Sequence, residues 1–153
     1  MEFKKDVIKP LAIILVPSII VVFVPVAYYA YCRPVFRLKI QAYFGDTGAM
    51  LRLARITHEM KWFYSACDAG NSQACYAIWS FNERRRPQEA FKYLKKGAEL
   101  ELKQRKGYEC LLELSRVYEY GLLGQPQNPE EAARIRNLRE EIVDELRAKG
   151  MIL

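Results

Sequence analysis

The sequence predicts an all-α protein in which one transmembrane helix precedes a short α/α solenoid of about three helix pairs. Residues 10–32 contain no charged residue and are dense in Ile, Val, Leu, Phe and Tyr. Beyond them, apolar residues recur at spacings of three and four, which is typical of helices that bury one face. No Asn-Gly or Asp-Gly pair marks a hairpin, and Val, Ile and Thr are not clustered at the spacing of two that strands show.

The run from Pro10 to Cys32 predicts a membrane span. At about 1.5 Å of rise per residue it covers roughly 35 Å, enough to cross a hydrocarbon core of about 30 Å. We expect a permanent anchor and not a cleaved signal, because the run ends in Tyr28, Tyr29 and Tyr31 where a signal peptidase requires small residues. Tyrosines at this end are typical of the aromatic belt at headgroup depth.

Two prolines, Pro17 and Pro25, interrupt the predicted span. Each removes one backbone donor and kinks a helix, which a membrane tolerates where neighbouring groups satisfy the freed carbonyls. Two interpretations stay open at this point: a bent helix that faces only lipid, or a helix that packs against the span of a partner protein.

The chain divides into a membrane tether and one soluble domain. The predicted organisation is a basic flank at 1–9, a transmembrane helix at 10–32, a juxtamembrane helix or linker at 33–43, a repeat domain at 44–147 and a tail at 148–153. Lys and Arg number 24 against 18 Asp and Glu, so the chain is mildly basic. No basic stripe alternates with aromatics, which argues against a nucleic-acid partner, whereas attraction to anionic lipid headgroups is expected.

Start signals and apolar stripes define the predicted helices. The clearest helix follows Asn128, a capping residue, with Pro129 at its first position and Glu130 and Glu131 in its first turn. Its apolar stripe consists of Ala132, Ile135, Leu138, Ile142 and Leu146. Pro87 begins a second helix, and the apolar residues between Leu111 and Tyr118 mark a third.

Three internal units organise these helices. Each begins with small or polar residues, continues through one helix, and ends in a second helix that carries an aromatic residue followed by small residues. The units run from Gly45 to Gly70, from Gly70 to Ala98, and from Cys110 to Ile135.

The stretch Leu114-Ser115-Arg116-Val117-Tyr118-Glu119-Tyr120-Gly121 resembles the leucine, small-residue, tyrosine and glycine signature of the Sel-one-like repeat family. This family is related to tetratricopeptide repeats, and the resemblance covers roughly residues 44–145. It implies paired antiparallel helices that bind other proteins. The chain departs from the pattern in three places: the first unit lacks an inter-helix loop, Arg84 to Arg86 replace loop glycines, and Trp79 stands where a small residue is expected.

Two cysteines, Cys67 and Cys75, stand eight positions apart across a predicted helix turn. That spacing allows a disulfide, and it equally allows two buried free thiols in a cytoplasmic protein. The surrounding residues are similar to the secreted, cysteine-rich bacterial branch of the Sel-one-like family, and this resemblance implies that the two cysteines are bridged. Cys110 has no comparable partner and is predicted to lie in the core.

The predicted location is a bacterial inner membrane, crossed once. Lys4, Lys5 and Lys9 before the span are balanced by Arg33 and other basic residues after it, so the positive-inside rule does not decide the orientation. A persistent disulfide requires an oxidising compartment, which favours a periplasmic repeat domain. The cytoplasmic side stays open as the alternative.

The sequence predicts no enzyme. His58 is the only histidine and is expected in a helical stretch with a structural or solvated role. Cys67 and Cys75 do not have the two-residue spacing of a zinc site, and no phosphate-binding loop or serine elbow is present. We therefore expect no catalytic residue, no metal, no cofactor and no small-molecule substrate.

Binding of another protein in or at the membrane is the function that remains, because stacked helix pairs present an extended surface. The predicted role is an adaptor or scaffold subunit of a bacterial cell-envelope complex. The residues expected on its exposed partner surface are Tyr76, Trp79, Arg84, Arg85, Arg86, Arg116 and Tyr120. Two alternatives are a periplasmic immunity protein that neutralises a secreted toxin, and a thiol-active assembly factor that uses Cys67 and Cys75.

Overall fold

The computed structural model describes residues 34–152, which form seven α-helices and no strand. The helices are α1 (Pro34–Tyr43), α2 (Thr47–Thr57), α3 (Met60–Asp68), α4 (Ser72–Asn82), α5 (Pro87–Gln104), α6 (Glu109–Tyr120) and α7 (Pro129–Ala148). The all-α prediction is therefore confirmed for this part of the chain. None of these helices is long and apolar enough to span a membrane, and the predicted span with Pro17 and Pro25 lies outside the described residues.

Side-chain caps fix the starts of three helices. The carboxylate of Asp46 accepts a hydrogen bond from the N–H of Ala49 at 2.9 Å, and the amide oxygen of Asn71 accepts one from Ala74 at 3.1 Å. Asn128 caps α7 in the same way through Glu131. Each cap satisfies a backbone donor that the first helical turn leaves without a partner. The capping role predicted for Asn128 is confirmed.

The junction between α2 and α3 is shorter than a usual loop. Helix α2 ends at Thr57, and only His58 and Glu59 separate it from α3. His58 adopts a left-handed backbone with φ of 54°, which breaks the helix without a glycine. The expectation that His58 lies within a helical stretch was wrong, because this residue takes the C-cap conformation that glycine usually supplies.

Each helix packs against the next one along the chain, and α4 also packs against α6. Short connections between helices that pack side by side make neighbouring helices antiparallel. The apolar residues form three clusters, and the largest lies among α4, α5, α6 and α7 around Leu94, Leu111 and Ile142. A second cluster joins α2, α3 and α4, and a third joins α1 to α2.

Gly97 allows α5 to approach both α4 and α6. A Cβ at this position would lie 2.4 Å from the sulfur of Cys110 and 3.1 Å from the Cβ of Cys75. The first contact leaves no room for a methyl group, and the second is tighter than ordinary packing. Cys110 is fully buried here, which confirms its predicted position in the core. Burial raises the pKa of its thiol.

Glu101 is a buried carboxylate in the core. One of its oxygens accepts a hydrogen bond from the N–H of Cys110 at 3.1 Å, and the other accepts one from Leu111 at 3.0 Å. A side chain of α5 therefore caps the first turn of α6. Burial raises the pKa of Glu101 to about 7, although the two backbone donors oppose that change by stabilising the charged form.

Candidate functional site

A disulfide joins the end of α3 to the start of α4. Cys67 and Cys75 are bonded, with their Cα atoms 4.9 Å apart. The turn between them closes at Gly70, whose φ of 93° permits the N–H of Asn71 to bond the carbonyl of Ala66 at 2.9 Å. Both cysteines are fully buried in the second cluster. The bridge therefore fastens two neighbouring helices.

Helix α4 contributes two of the residues expected on the partner surface, and they lie in different environments. Tyr76 is half-buried, and its ring lies 5.1 Å from the ring of Trp79. Trp79 is only 9 % exposed and belongs to the largest core cluster. The expectation that Trp79 is exposed was wrong, because its side chain packs among α5 and α6.

The three arginines of the predicted partner surface form the exposed connection between α4 and α5. Arg84 has a side chain that is 93 % exposed and lies 3.9 Å from Glu83. Arg86 forms an ion pair with Glu89 at 3.2 Å. Within the described part of the chain, Arg85 forms no ion pair. The connection therefore presents one uncommitted guanidinium group.

The remaining two predicted residues lie on α6. Arg116 forms an ion pair with Glu113 at 2.8 Å. Burial raises the pKa of Tyr76, and the charge of Arg116 opposes that change. Tyr120 is exposed at the end of the helix. Neither Arg116 nor Tyr120 lines the groove described next.

An open groove with a volume of about 710 Å³ lies where α2, α3, α4 and the arginine connection meet. We call it the Phe81 groove. Its lining residues are Ala54, Arg55, His58, Met60, Phe63, Tyr64, Phe81, Asn82, Arg85 and Arg86. None of these residues carries a carboxylate, so the groove joins apolar surface to positive charge.

Aromatic side chains form much of the apolar surface of the Phe81 groove. Phe63 is buried, whereas Phe81 is 60 % exposed, and their ring centroids lie 5.7 Å apart. Tyr64 donates a hydrogen bond from its hydroxyl to Glu89 at 3.0 Å, and burial raises its pKa. A large aromatic side chain that stays exposed beside buried ones is typical of a binding surface.

Two arginines of the groove are available for a partner. Among residues 34–152, neither Arg55 nor Arg85 forms an ion pair, and both are exposed. Arg86 is engaged by Glu89, which also holds Tyr64. Guanidinium groups bind carboxylates in pairs of parallel hydrogen bonds, so these positions favour an acidic ligand.

A second, smaller groove continues from the first. It has a volume of about 420 Å³ and shares Arg55, Phe63 and Phe81 with the Phe81 groove. Tyr76 and Glu109 also line it. The two grooves together are lined by residues of α2, α3 and α4, by the arginine connection and by the first residue of α6.

Sequence reasoning missed Arg55 and Phe81 as binding residues. Phe81 follows Ala74 and Ile78 at helical spacing, which assigns it to the buried face of α4. It is exposed because it lies at the open groove between α2, α3 and α4. No local feature of the sequence predicts that groove.

In the described part of the chain, no three His, Cys, Asp or Glu side chains are grouped closely enough to hold a metal ion. No protein-family model, no curated protein and no solved structure matches this sequence. Function is therefore inferred from the grooves and their charges.

Proposed function

We propose that this protein is a membrane-tethered interaction module of a bacterial cell-envelope complex and that it binds a partner polypeptide in the Phe81 groove. The observation that carries the proposal is the groove itself: an exposed Phe81 beside Arg55 and Arg85, with no carboxylate among the lining residues. The partner is a segment with one apolar side chain flanked by acidic residues.

The apolar surface of the groove favours insertion of a side chain. Phe81 and Phe63 offer ring faces and edges, and burial of an apolar side chain against them contributes about 1.5–3 kcal/mol. Central aromatic and arginine residues commonly supply most of the binding energy at protein interfaces. The groove combines both residue types within one cavity.

The helix pairs support membership of the Sel-one-like repeat family as a proposal. The pairs α2–α3, α4–α5 and α6–α7 correspond to the three units read from the sequence. Contact between the first helices α4 and α6 is typical of stacked pairs. Stacked helix pairs bind partners on extended surfaces, and the open grooves lie on such a surface, so their location agrees with the proposed function.

The disulfide supports a periplasmic position for the domain, since disulfides persist in oxidising compartments. It also favours a structural role for the cysteines over thiol exchange. Exchange requires access of an attacking thiolate, and both Cys67 and Cys75 are fully buried. The proposed arrangement is an amino terminus in the cytoplasm, one span at residues 10–32 and the repeat domain outside.

Photocrosslinking in intact cells tests the proposal. A photoreactive benzoylphenylalanine replaces Phe81 in the full chain, and the same residue replaces Ile56 as a control. Ile56 is also exposed on an adjoining helix, but it does not line the groove. We expect a discrete protein adduct from position 81 and not from position 56. Identical adducts from both positions would contradict binding of the partner in the Phe81 groove.

Charge reversal gives the second arm of this test. The double variant Arg55→Glu/Arg85→Glu is expected to remove the adduct, because it turns attraction of an acidic partner into repulsion. The matched control is Arg52→Glu/Lys103→Glu, which changes the net charge equally at exposed positions away from the groove. An adduct that survives the first variant would show that the arginines do not hold the partner.

A further inference from the structure

The outer face of α1 carries an apolar stripe. Phe36, Ile40 and Tyr43 lie on one side of the helix, and Phe44 follows directly after its last residue, with its N–H bonded to the carbonyl of Ile40. These four residues are 45 %, 45 %, 86 % and 81 % exposed. They are four of the nine large hydrophobic residues exposed between residues 34 and 152, so this is a patch and not a scatter of single residues.

The opposite face of α1 is already occupied. Leu38 and Ala42 are buried and form one cluster with Ala49 and Leu53 of α2. A helix at the surface of a soluble domain needs only one apolar stripe. Because α1 has two, and the inner one fixes it to α2, the outer stripe is presented by a helix that is attached to the domain.

Basic residues border the outer stripe. Arg37 and Lys39 lie on its two sides in the helical projection, and both are exposed. No acidic residue occurs between Asp6 and Asp46. Apolar residues flanked by Lys and Arg are typical of helices that lie in the plane of an anionic membrane surface, where the long basic side chains reach the headgroups.

The neighbouring sequence identifies the occupant of the stripe as lipid. The uncharged run predicted to span the membrane ends at Cys32, and α1 begins at Pro34. If α1 continued straight out of the bilayer, Phe44 would stand about 18 Å beyond Cys32. Only a helix that turns along the surface brings Phe44 and Phe36 to the same depth.

We infer that α1 is an interfacial membrane helix whose outer stripe enters the headgroup and acyl boundary of an anionic phospholipid surface. The inference rests on the proposed membrane tether. Since α1 is packed on α2, its contact with lipid fixes the orientation of the whole domain and holds the Phe81 groove at a constant distance from the membrane.

Lipid photocrosslinking of the unmodified full chain tests this inference. The protein is reconstituted in vesicles of phosphatidylcholine with about 30 % phosphatidylglycerol and a trace of phospholipid that carries a diazirine on its acyl chain. Trypsin then releases residues 40–52, which contain Tyr43 and Phe44, and residues 117–134, which contain the exposed control Leu122.

The expected result is a yield of lipid adduct on residues 40–52 that exceeds the yield on residues 117–134 by about fivefold or more. Equal yields on the two peptides would overturn the inference. The stripe would then be covered by a second copy, by another protein or by the chain itself, and not by lipid. Flotation of the vesicles separates this failure from failure of the tether. A chain that floats with the vesicles but gives equal yields refutes only the membrane-surface role of α1. A chain that does not float refutes both that role and the membrane tether.

A paired substitution gives a second readout. The variant Tyr43→Glu/Phe44→Glu places two charges in the stripe at highly exposed positions, so the fold is retained and the adduct on residues 40–52 is expected to fall to the level of the control peptide. The double variant Tyr120→Glu/Leu122→Glu is the matched control and is expected to leave that adduct unchanged. An unchanged adduct in the first variant would contradict insertion of the stripe.

Discussion

The carboxylate of Glu101 on α5 accepts a hydrogen bond from the backbone N–H of Leu111 on α6 at 3.0 Å, and both residues are fully enclosed in the core. Its second oxygen holds Cys110. The positive end of the α6 dipole faces this carboxylate, so α6 starts on a side chain of α5. Glu101 thereby links α5 to α6.

Two substitutions of Glu101 distinguish the effect of its side-chain volume on stability from the effect of its hydrogen bonds. Glu101→Ala leaves the N–H groups of Cys110 and Leu111 without an acceptor and opens a cavity, so we expect a loss of about 2–4 kcal/mol in the free energy of unfolding. Glu101→Gln keeps one acceptor and the size of the side chain, and its loss is expected to be smaller. Urea unfolding of the full chain in detergent micelles, followed by circular dichroism, measures both; equal losses would contradict the role of Glu101 as a cap.

The same residue predicts how stability depends on pH. The pKa of Glu101 is raised to about 7 in the folded protein from 4.5, because burial penalises the charge. The folded state therefore binds this proton more tightly than the unfolded state. The contribution of Glu101 to the free energy of unfolding is fully present below about pH 4.5. It is lost as the pH rises through about 7, by an amount on the order of 3 kcal/mol.

Unfolding free energies measured between pH 5 and 8 check this expectation, with Glu101→Gln as the control because it cannot titrate. We expect the wild-type chain to lose stability across this range, as about 1.4 kcal/mol accompanies each unit of pKa difference. The variant is expected to show a flatter profile. Parallel profiles for the two proteins would refute the raised pKa.

Gly97→Ala is expected to destabilise the protein by about 1–3 kcal/mol, because the added methyl group collides with Cys110 and Cys75. A second substitution, at Cys110, tests whether this loss of stability has a steric cause. Cys110→Ala removes the sulfur that lies nearest, so Gly97→Ala should cost less in that background. Thermal unfolding of the four proteins gives the coupling energy, and a value near zero would exclude the collision.

The bridge between Cys67 and Cys75 closes a loop with a sequence separation of 8, and its removal is expected to cost about 2–3 kcal/mol. Cys67→Ser/Cys75→Ser should lower the free energy of unfolding by that amount in oxidising buffer. Reductant should lower the wild-type value to a similar level and leave the variant unchanged. Cys110→Ala serves as the control, since its response to reductant should match that of the wild type; a variant still sensitive to reductant would point to another bridge.

His58→Gly is expected to raise the free energy of unfolding by about 0.5–1 kcal/mol. The left-handed backbone at φ of 54° is unfavourable for a side chain with a Cβ and neutral for glycine. Thr57→Gly, one position earlier within α2, should instead lower stability because glycine weakens a helix. The melting temperatures of the two variants should therefore change in opposite directions. Changes in the same direction would contradict the role of His58 as an unfavourable left-handed C-cap of α2.

Local chemistry made much of the fold predictable. Asn128 followed by Pro129 marks a helix start because cap and first-turn residues act on backbone groups within four positions. Helical spacing placed Leu111 and Ile142 on buried faces correctly. The break at His58 was not predictable, because no glycine or proline marks it, although α2 and α3 pack against each other across it.

The candidate site was predictable only in part. The exposed arginines of the α4–α5 connection were identified because a run of charged residues cannot be buried without partners. Trp79 was assigned wrongly to the surface, and Phe81 was not identified. Both lie on α4, and which of them is covered depends on α5 and α6, which cover Trp79, and on α2, which leaves Phe81 open.

The sequence by itself determined where the helices begin and that a cysteine pair flanks one turn, because caps, spacing and turn residues act over a few neighbouring positions. Only the tertiary structure decided that Glu101 is a buried cap for another helix and that Phe81 stands beside Arg55. Those relationships join residues far apart in the chain, and the burial of a side chain depends on which neighbours reach it in space.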